Sequence, residues 1–178
     1  DLQATLESGQ IFRWRYTDGG AIVAHGRDVF FLDEKGIFED ERIARRFDRT
    51  LPTASYDHPY IQEAIKHTKG LRIIRQDPWE CLVAFIISQN NQQKRIQANV
   101  LAVSEYGDVL EHGFYSFPTP QQLPDEQELR ARGLGYRAAH IAALKDIDLD
   151  WLHKLSALPY EHAKKQLQTL QGVGPKVA

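Results

Sequence analysis

The stretch DPWECLVAFIIS, residues 77 to 88, limits the fold of this chain more than any other. Asp77 is a good N-cap, Pro78 suits the first helical position, and Glu80 stands three residues after the cap, as in a capping box. The apolar residues from Leu82 to Ile87 run all round the helix instead of forming a stripe. A helix that is apolar on every side needs neighbours on every side. The stretch therefore predicts a central, buried helix inside a helical body.

The flanking segments agree with that body. DHPYIQEAIKHTKG has Pro59 near a helix start, apolar Ile61, Ala64 and Ile65 on one side, and Gly70 as a stop. A helix from Gln92 to Tyr106 ending at Gly107 follows the central one. FPTPQQL reads as a loop, and DEQELRARG and RAAHIAALKDI read as helices separated by Gly133-Leu134-Gly135-Tyr136. WLHKLSAL and YEHAKKQLQTL lead to the end of the chain.

Ahead of all this, residues 10 to 34 carry a different period. Phe12, Trp14 and Tyr16 alternate with Arg13 and Arg15, the pattern of a strand with one buried face. The turn Asp18-Gly19-Gly20, then AIVAHG and VFFL, continue it as antiparallel structure. ERIARRF, residues 41 to 47, reads as a short helix. The fold class expected is α+β: a small N-terminal antiparallel β-sheet over residues 1–55, then a mainly helical body over 56–178.

Charge and cysteine content bound the function. With 22 basic and 24 acidic residues the chain is near neutral, which argues mildly against gripping nucleic acid by charge alone. Residues 61 to 100 nevertheless carry six basic groups against three acidic ones. Taken alone, those charges read better as a solvated helix face. One cysteine, Cys81, makes neither an internal disulfide nor a metal site, so a reducing interior is the default and no metal is expected. No cofactor is expected either. No signal peptide is evident at the start.

The last residues hold the strongest chemical signal. LQGVGPK, residues 170 to 176, joins one helix to the start of another, as in a helix-hairpin-helix. Gly172 and Gly174 permit positive φ and close backbone approach, and the amides around Gly172, Val173 and Gly174 are expected to point outward as a phosphate seat. Such a seat needs no positive side chains. Lys176 falls in the first turn of the second helix, where the dipole opposes a positive charge and a neutral amine is a nucleophile toward a sugar carbon. Taken alone, Gly-x-Gly is read as well by a plain helix-to-helix turn with a solvent-exposed lysine.

Five stretches together decide between these readings: SGQIFRWR at 8–15, RQDPWECLVAFIISQNNQQKRI at 75–96, HGFYSFPTPQQL at 112–123, LGYRAAHI at 134–141 and LQGVGPK at 170–176. In this order they resemble the helix-hairpin-helix DNA glycosylase superfamily, and within it the 8-oxoguanine DNA glycosylase family. The resemblance implies a glycosylase with associated lyase activity in base-excision repair. It identifies Lys176 with the lysine that attacks C1′ of the damaged nucleotide and forms a Schiff base. Gly9 matches the glycine whose carbonyl accepts from the N7 proton of 8-oxoguanine and repels the N7 lone pair of guanine. Asn90 matches the residue that fills the space of the flipped base, and Tyr136 matches the wedge beside the opposite strand. Arg95 and Arg137 match arginines that face the orphaned cytosine, their donor forks suiting its O2 and N3.

The partner implied is double-stranded DNA carrying 8-oxoguanine opposite cytosine, bound by a monomer in the nucleoid and cytoplasm of a prokaryote or the nucleus of a eukaryote. The chain lacks methionine and reads as a fragment. The family's catalytic aspartate and base-stacking residues are expected beyond Ala178. Two other readings stay open. One is an endonuclease III-like glycosylase for other oxidised bases, against which the SGQ-x-FRWR element speaks. The other is a non-catalytic DNA-binding hairpin, against which Lys176 speaks, because a clamp requires amides and not a buried amine.

Overall fold

The computed structural model describes residues 1–33 and 58–178, with short pieces at 45 and 49–50. The helix expected over ERIARRF lies outside the described residues apart from Arg45. The chain divides into two units, Asp1–Ala24 with Val29–Gln76, and His25–Asp28 with Asp77–Ala178.

The first unit opens with helix α1 (Leu2–Leu6), capped by Asp1 through the amide of Ala4. Strands β1 (Trp14–Thr17), β2 (Gly20–His25) and β3 (Asp28–Leu32) form a sheet in that order. β1 and β2 are antiparallel with Trp14 opposite Val23 and Thr17 opposite Gly20, so the Asp18-Gly19 turn is as tight as its sequence demands. Leu2, Leu6, Ile11, Val23, Phe30, Leu32 and Ile74 make its core.

The expected alternation along β1 is not what the strand shows. Phe12 is buried but lies ahead of β1, Tyr16 is 49% exposed, and Arg13 is completely buried. The regular strand begins only at Trp14, so the two-residue period does not extend back to Gln10. A second pair, β4 (Arg49–Thr50) and β5 (Arg72–Ile73), is antiparallel with Arg49 opposite Ile73. Helix α2 (Pro59–His67) lies between them in sequence. Because β5 pairs back to β4, the division at 55/56 expected from the sequence falls within the first unit.

The second unit is helical and is built around α3 (Pro78–Ser88). One carboxylate oxygen of Asp77 accepts from Trp79 and Glu80 amides, each at 3.0 Å, and Trp79 Nε1 donates to the carbonyl of Pro118 at 2.7 Å. α3 packs on α4 (Gln93–Ser104), α6 (Arg137–Ala142) and α7 (Leu149–Lys154), after the short α5 (Glu126–Leu129) and before α8 (Tyr160–Leu167). Trp79, Leu82, Val83, Ala84, Ile86 and Ile87 are buried, as the apolar run predicts. Phe85 is the exception at 41% exposed, and with Cys81 it leaves one face of α3 partly open.

Candidate nucleic-acid interface and nucleophile

Three separate parts of the second unit meet where α3 ends. Gln89 terminates the helix, and its carbonyl accepts from Tyr136 Oη at 3.3 Å and from Arg137 Nε at 2.8 Å and Nη2. Its side-chain amide donates to the carbonyl of Gly172 at 2.6 Å. One residue thus ties the end of α3, the start of α6 and the hairpin turn together. Sequence reasoning passed over Gln89, since nothing local distinguishes it from its neighbours.

Asn90 follows in the left-handed region at φ 46° and is exposed. Asparagine tolerates that conformation better than most residues, and here it turns the chain outward between α3 and α4. Asn91 closes the turn by donating to the carbonyl of Ile87 at 3.1 Å and accepting from the amide of Gln92 at 3.0 Å. Arg95 is exposed in the first turn of α4 beside the exposed Lys94, and it pairs with none of the described residues.

Arg137 is neither an outward fork nor a surface charge at a helix end. It is buried at 7% exposure, and besides the carbonyl of Gln89 it donates to those of Asn90 at 2.9 Å and Leu134 at 3.4 Å. Four of its five N–H donors are therefore directed at main-chain carbonyls. Its guanidinium also lies over the ring of Tyr136, 4.7 Å from the centroid. Tyr136 is 46% exposed, held at one edge by Gln89 and at another by His140, whose ring stands 6.1 Å away in an edge-on arrangement.

The two hairpin glycines do different work. Gly172 has φ +82°, and a Cβ placed there would lie 2.4 Å from Cγ of His140. Gly174 has nothing within 4 Å of such an atom. The protein's own packing demands glycine at 172 and makes no demand at 174. Val173 does not belong to an outward seat: its side chain is buried at 6% and its amide donates to the carbonyl of Leu170 at 3.1 Å. Among the described residues, the amides of Gln171, Gly172, Gly174 and Lys176 have no acceptor; Gly174 and Lys176, which follow the buried Val173, are the pair at the start of the next turn that an anion could reach together.

Beyond the turn, the carbonyl of Gly174 accepts from Val177 and Ala178, both at 3.0 Å, which forms a single helical turn around Lys176. Lys176 is exposed, not buried, and it lines a cavity of about 420 Å³ with Cys81, Phe85, Leu167 and Val177. The open face of α3 is thus one wall of the space that the lysine borders. Burial pushes the Cys81 thiol up to about 11, with the carboxylates of Glu80 and Asp77 adding to the effect, so Cys81 is a neutral wall and no rival nucleophile.

Gly9 belongs to the first unit. It too is left-handed, at φ +79°, and its turn is pinned by Gln10. That side chain donates to the carbonyl of Arg72 at 2.8 Å and accepts from the amide of Ile74 at 2.9 Å. The Ser-Gly-Gln sequence is therefore a glycine turn with its own clamp.

The pattern for the N-terminal domain of 8-oxoguanine DNA glycosylase matches residues 47–82. The N-glycosylase/DNA lyase OGG1 of Arabidopsis thaliana is 38% identical over 133 residues, covering 67% of this chain and 36% of the plant protein. Among solved structures, MBOgg1 in complex with a low-affinity DNA ligand superposes with a TM-score of 0.84 at 29% identity, over 99% of this chain and 70% of that one. This chain belongs to the 8-oxoguanine DNA glycosylase family. The apo form of Clostridium acetobutylicum 8-oxoguanine glycosylase/lyase matches with a TM-score of 0.79 and 25% identity, over 99% of this chain and 71% of the bacterial one. The chain spans about a third of the length of the plant protein it matches. Within this chain, Gln89 bonds both Tyr136 and the hairpin at Gly172.

Proposed function

We propose that the protein removes 8-oxoguanine from duplex DNA and then cleaves the strand at the resulting site, acting as a monomer on lesions opposite cytosine. The observation that carries this reading is the junction at Gln89, which brings Asn90, Tyr136 and the Gly172–Gly174 turn to one place. A filler, a wedge and a phosphate seat at a common junction are what base extrusion needs, since a few kcal/mol of pairing and stacking must be offset when the base leaves the helix.

In this reading the amides of Gly174 and Lys176 receive a phosphate of the damaged strand, and Gly174 lets the backbone come close. Asn90 enters the gap and Tyr136 separates the neighbouring pairs. Arg95 presents its fork to the cytosine. Arg137 must release carbonyl bonds to do the same, so in the free protein its part is to hold the Asn90 turn in place. The carbonyl of Gly9 discriminates the lesion by the proton on N7.

Lys176 is the nucleophile. Its Nζ lone pair forms a bond to C1′ while the C1′–N9 bond breaks and its electron pair leaves on the base, which takes up a proton. Loss of a proton from nitrogen and opening of the C1′–O4′ bond give the Schiff base. Removal of a C2′ proton then expels the 3′ phosphate oxygen and breaks the strand. In a prokaryote this work is done in the nucleoid, and in a eukaryote in the nucleus.

The test is single-turnover assay of the intact protein on duplexes with 8-oxoguanine opposite each of the four bases, scoring free base and strand breaks separately. The reading requires release of 8-oxoguanine with cytosine opposite as the best pair. Release of oxidised pyrimidines but not 8-oxoguanine would overturn it in favour of an endonuclease III-like specificity.

A further inference from the structure

We infer that Gln89 is a positioning residue for the reaction: its side-chain amide sets the hairpin, and so Lys176, relative to the residues that open the duplex. The inference rests on the functional reading above and adds to it a residue that the reading does not otherwise use.

The argument starts from what Gln89 joins. Its main-chain carbonyl serves the duplex-opening side, accepting from Tyr136 and Arg137. Its side chain serves the catalytic side, donating at 2.6 Å to the carbonyl of Gly172, four residues before Lys176. The two functions therefore use different atoms of one residue. A substitution removes the second and leaves the first.

Among the described residues, the hairpin has few other restraints at this point. Val173 is anchored by burial and by the bond of its amide to Leu170. On its other side Gly172 abuts the ring of His140, which fills the space a Cβ would take but donates nothing to the turn. His140 Nδ1 is itself buried with no hydrogen-bond partner among the described residues. Packing against His140 limits how near the turn comes, and Gln89 supplies the directional bond that fixes where it stays. Orientation of a nucleophile at this scale is worth a great deal, because attack on carbon needs near-contact distance and alignment.

Two substitutions in the intact protein test this. Gln89→Met keeps length and packing volume but cannot donate. It should slow single-turnover excision about tenfold, the effect of one lost hydrogen bond to a positioned group, and weaken duplex binding by less than it slows excision. The preference for cytosine over adenine should not change, because the carbonyl of Gln89 still serves Tyr136 and Arg137. Gln89→Glu places an acceptor against the Gly172 carbonyl when ionised and a donor when protonated. Its rate relative to wild type should therefore rise as pH falls, a trend that a merely structural loss does not produce.

Amide hydrogen exchange in the DNA-free protein gives a readout apart from activity: Gln89→Met should speed exchange at Val173 and leave exchange in α3 unchanged. A wild-type rate in Gln89→Met, a pH-independent ratio in Gln89→Glu, or unaltered exchange at Val173 would each overturn the inference. Failure of the wild-type protein to excise 8-oxoguanine would instead overturn the functional reading, and the exchange measurement would still decide whether Gln89 holds the hairpin.

Discussion

Replacing each hairpin glycine by alanine separates what the fold requires from what a ligand requires. At Gly172 two costs combine. A residue with a Cβ held at φ +82° is less stable by about 1–2 kcal/mol. The new atom would also stand 2.4 Å from Cγ and 2.8 Å from Cβ and Cδ2 of His140, atoms near the root of that side chain, and overpacking of this kind costs about 1–3 kcal/mol. Gly172→Ala should therefore lose about 2–5 kcal/mol. Gly174→Ala meets nothing within 4 Å and needs no unusual φ, so its stability should stay within about 0.5 kcal/mol of wild type.

Urea unfolding of the intact protein, followed by tryptophan fluorescence, measures both changes, and fluorescence anisotropy with labelled duplex measures binding. Gly174→Ala should retain stability yet weaken binding about tenfold, because its methyl occupies the approach of a phosphate to the Gly174 and Lys176 amides. Equal stability losses in the two variants would refute the packing argument. Undiminished binding by Gly174→Ala would refute the phosphate seat.

Further outcomes are expected elsewhere. Arg95→Ala should narrow the preference for cytosine over adenine opposite the lesion more than it slows the best pair, measured by single-turnover excision on both duplexes; a uniform loss would mean that Arg95 only meets phosphate. Asp77→Ala removes the acceptor of two amides at the start of α3 and should cost about 1 kcal/mol in urea unfolding. Cys81, its thiol pushed up to about 11, should react slowly with iodoacetamide at pH 8 and faster as pH rises. The unfolded thiol ionises near 9.0, below the folded one, so the stabilisation is fully present below about pH 9 and is lost as pH rises toward 11; a stability that climbed across that window would contradict the burial of this thiol.

What the sequence discloses here is what depends on neighbours in sequence. The start of α3 is legible because Asp77 and Pro78 act within one turn, and its burial because the apolar run has no polar side. The open strip at Cys81 and Phe85 is not, since an apolar residue reads the same whether or not a neighbour covers it. Positive φ at Gly9 and Gly172 could be anticipated from glycine in a turn. Their clamps could not: Gln89 and Gly172 are 83 residues apart, and Gln10 and Ile74 are 64 apart. The family match sets Arg137 toward the orphaned cytosine, and its buried fork becomes visible only once the carbonyls of Gln89 and Asn90 are in place. The β4–β5 pair, two residues on each strand, is too short to carry any period.

The central claim is that Lys176 forms the covalent bond to the sugar. Borohydride delivers hydride to the iminium carbon of a Schiff base and leaves a stable secondary amine, so the intact protein incubated with 8-oxoguanine duplex and borohydride should yield a covalent complex. Digestion and mass spectrometry should place the adduct on the peptide containing Lys176. Gln in place of that lysine, Lys176→Gln, should abolish trapping while leaving duplex affinity largely intact. An adduct on another residue, or trapping by Lys176→Gln equal to wild type, would contradict the account.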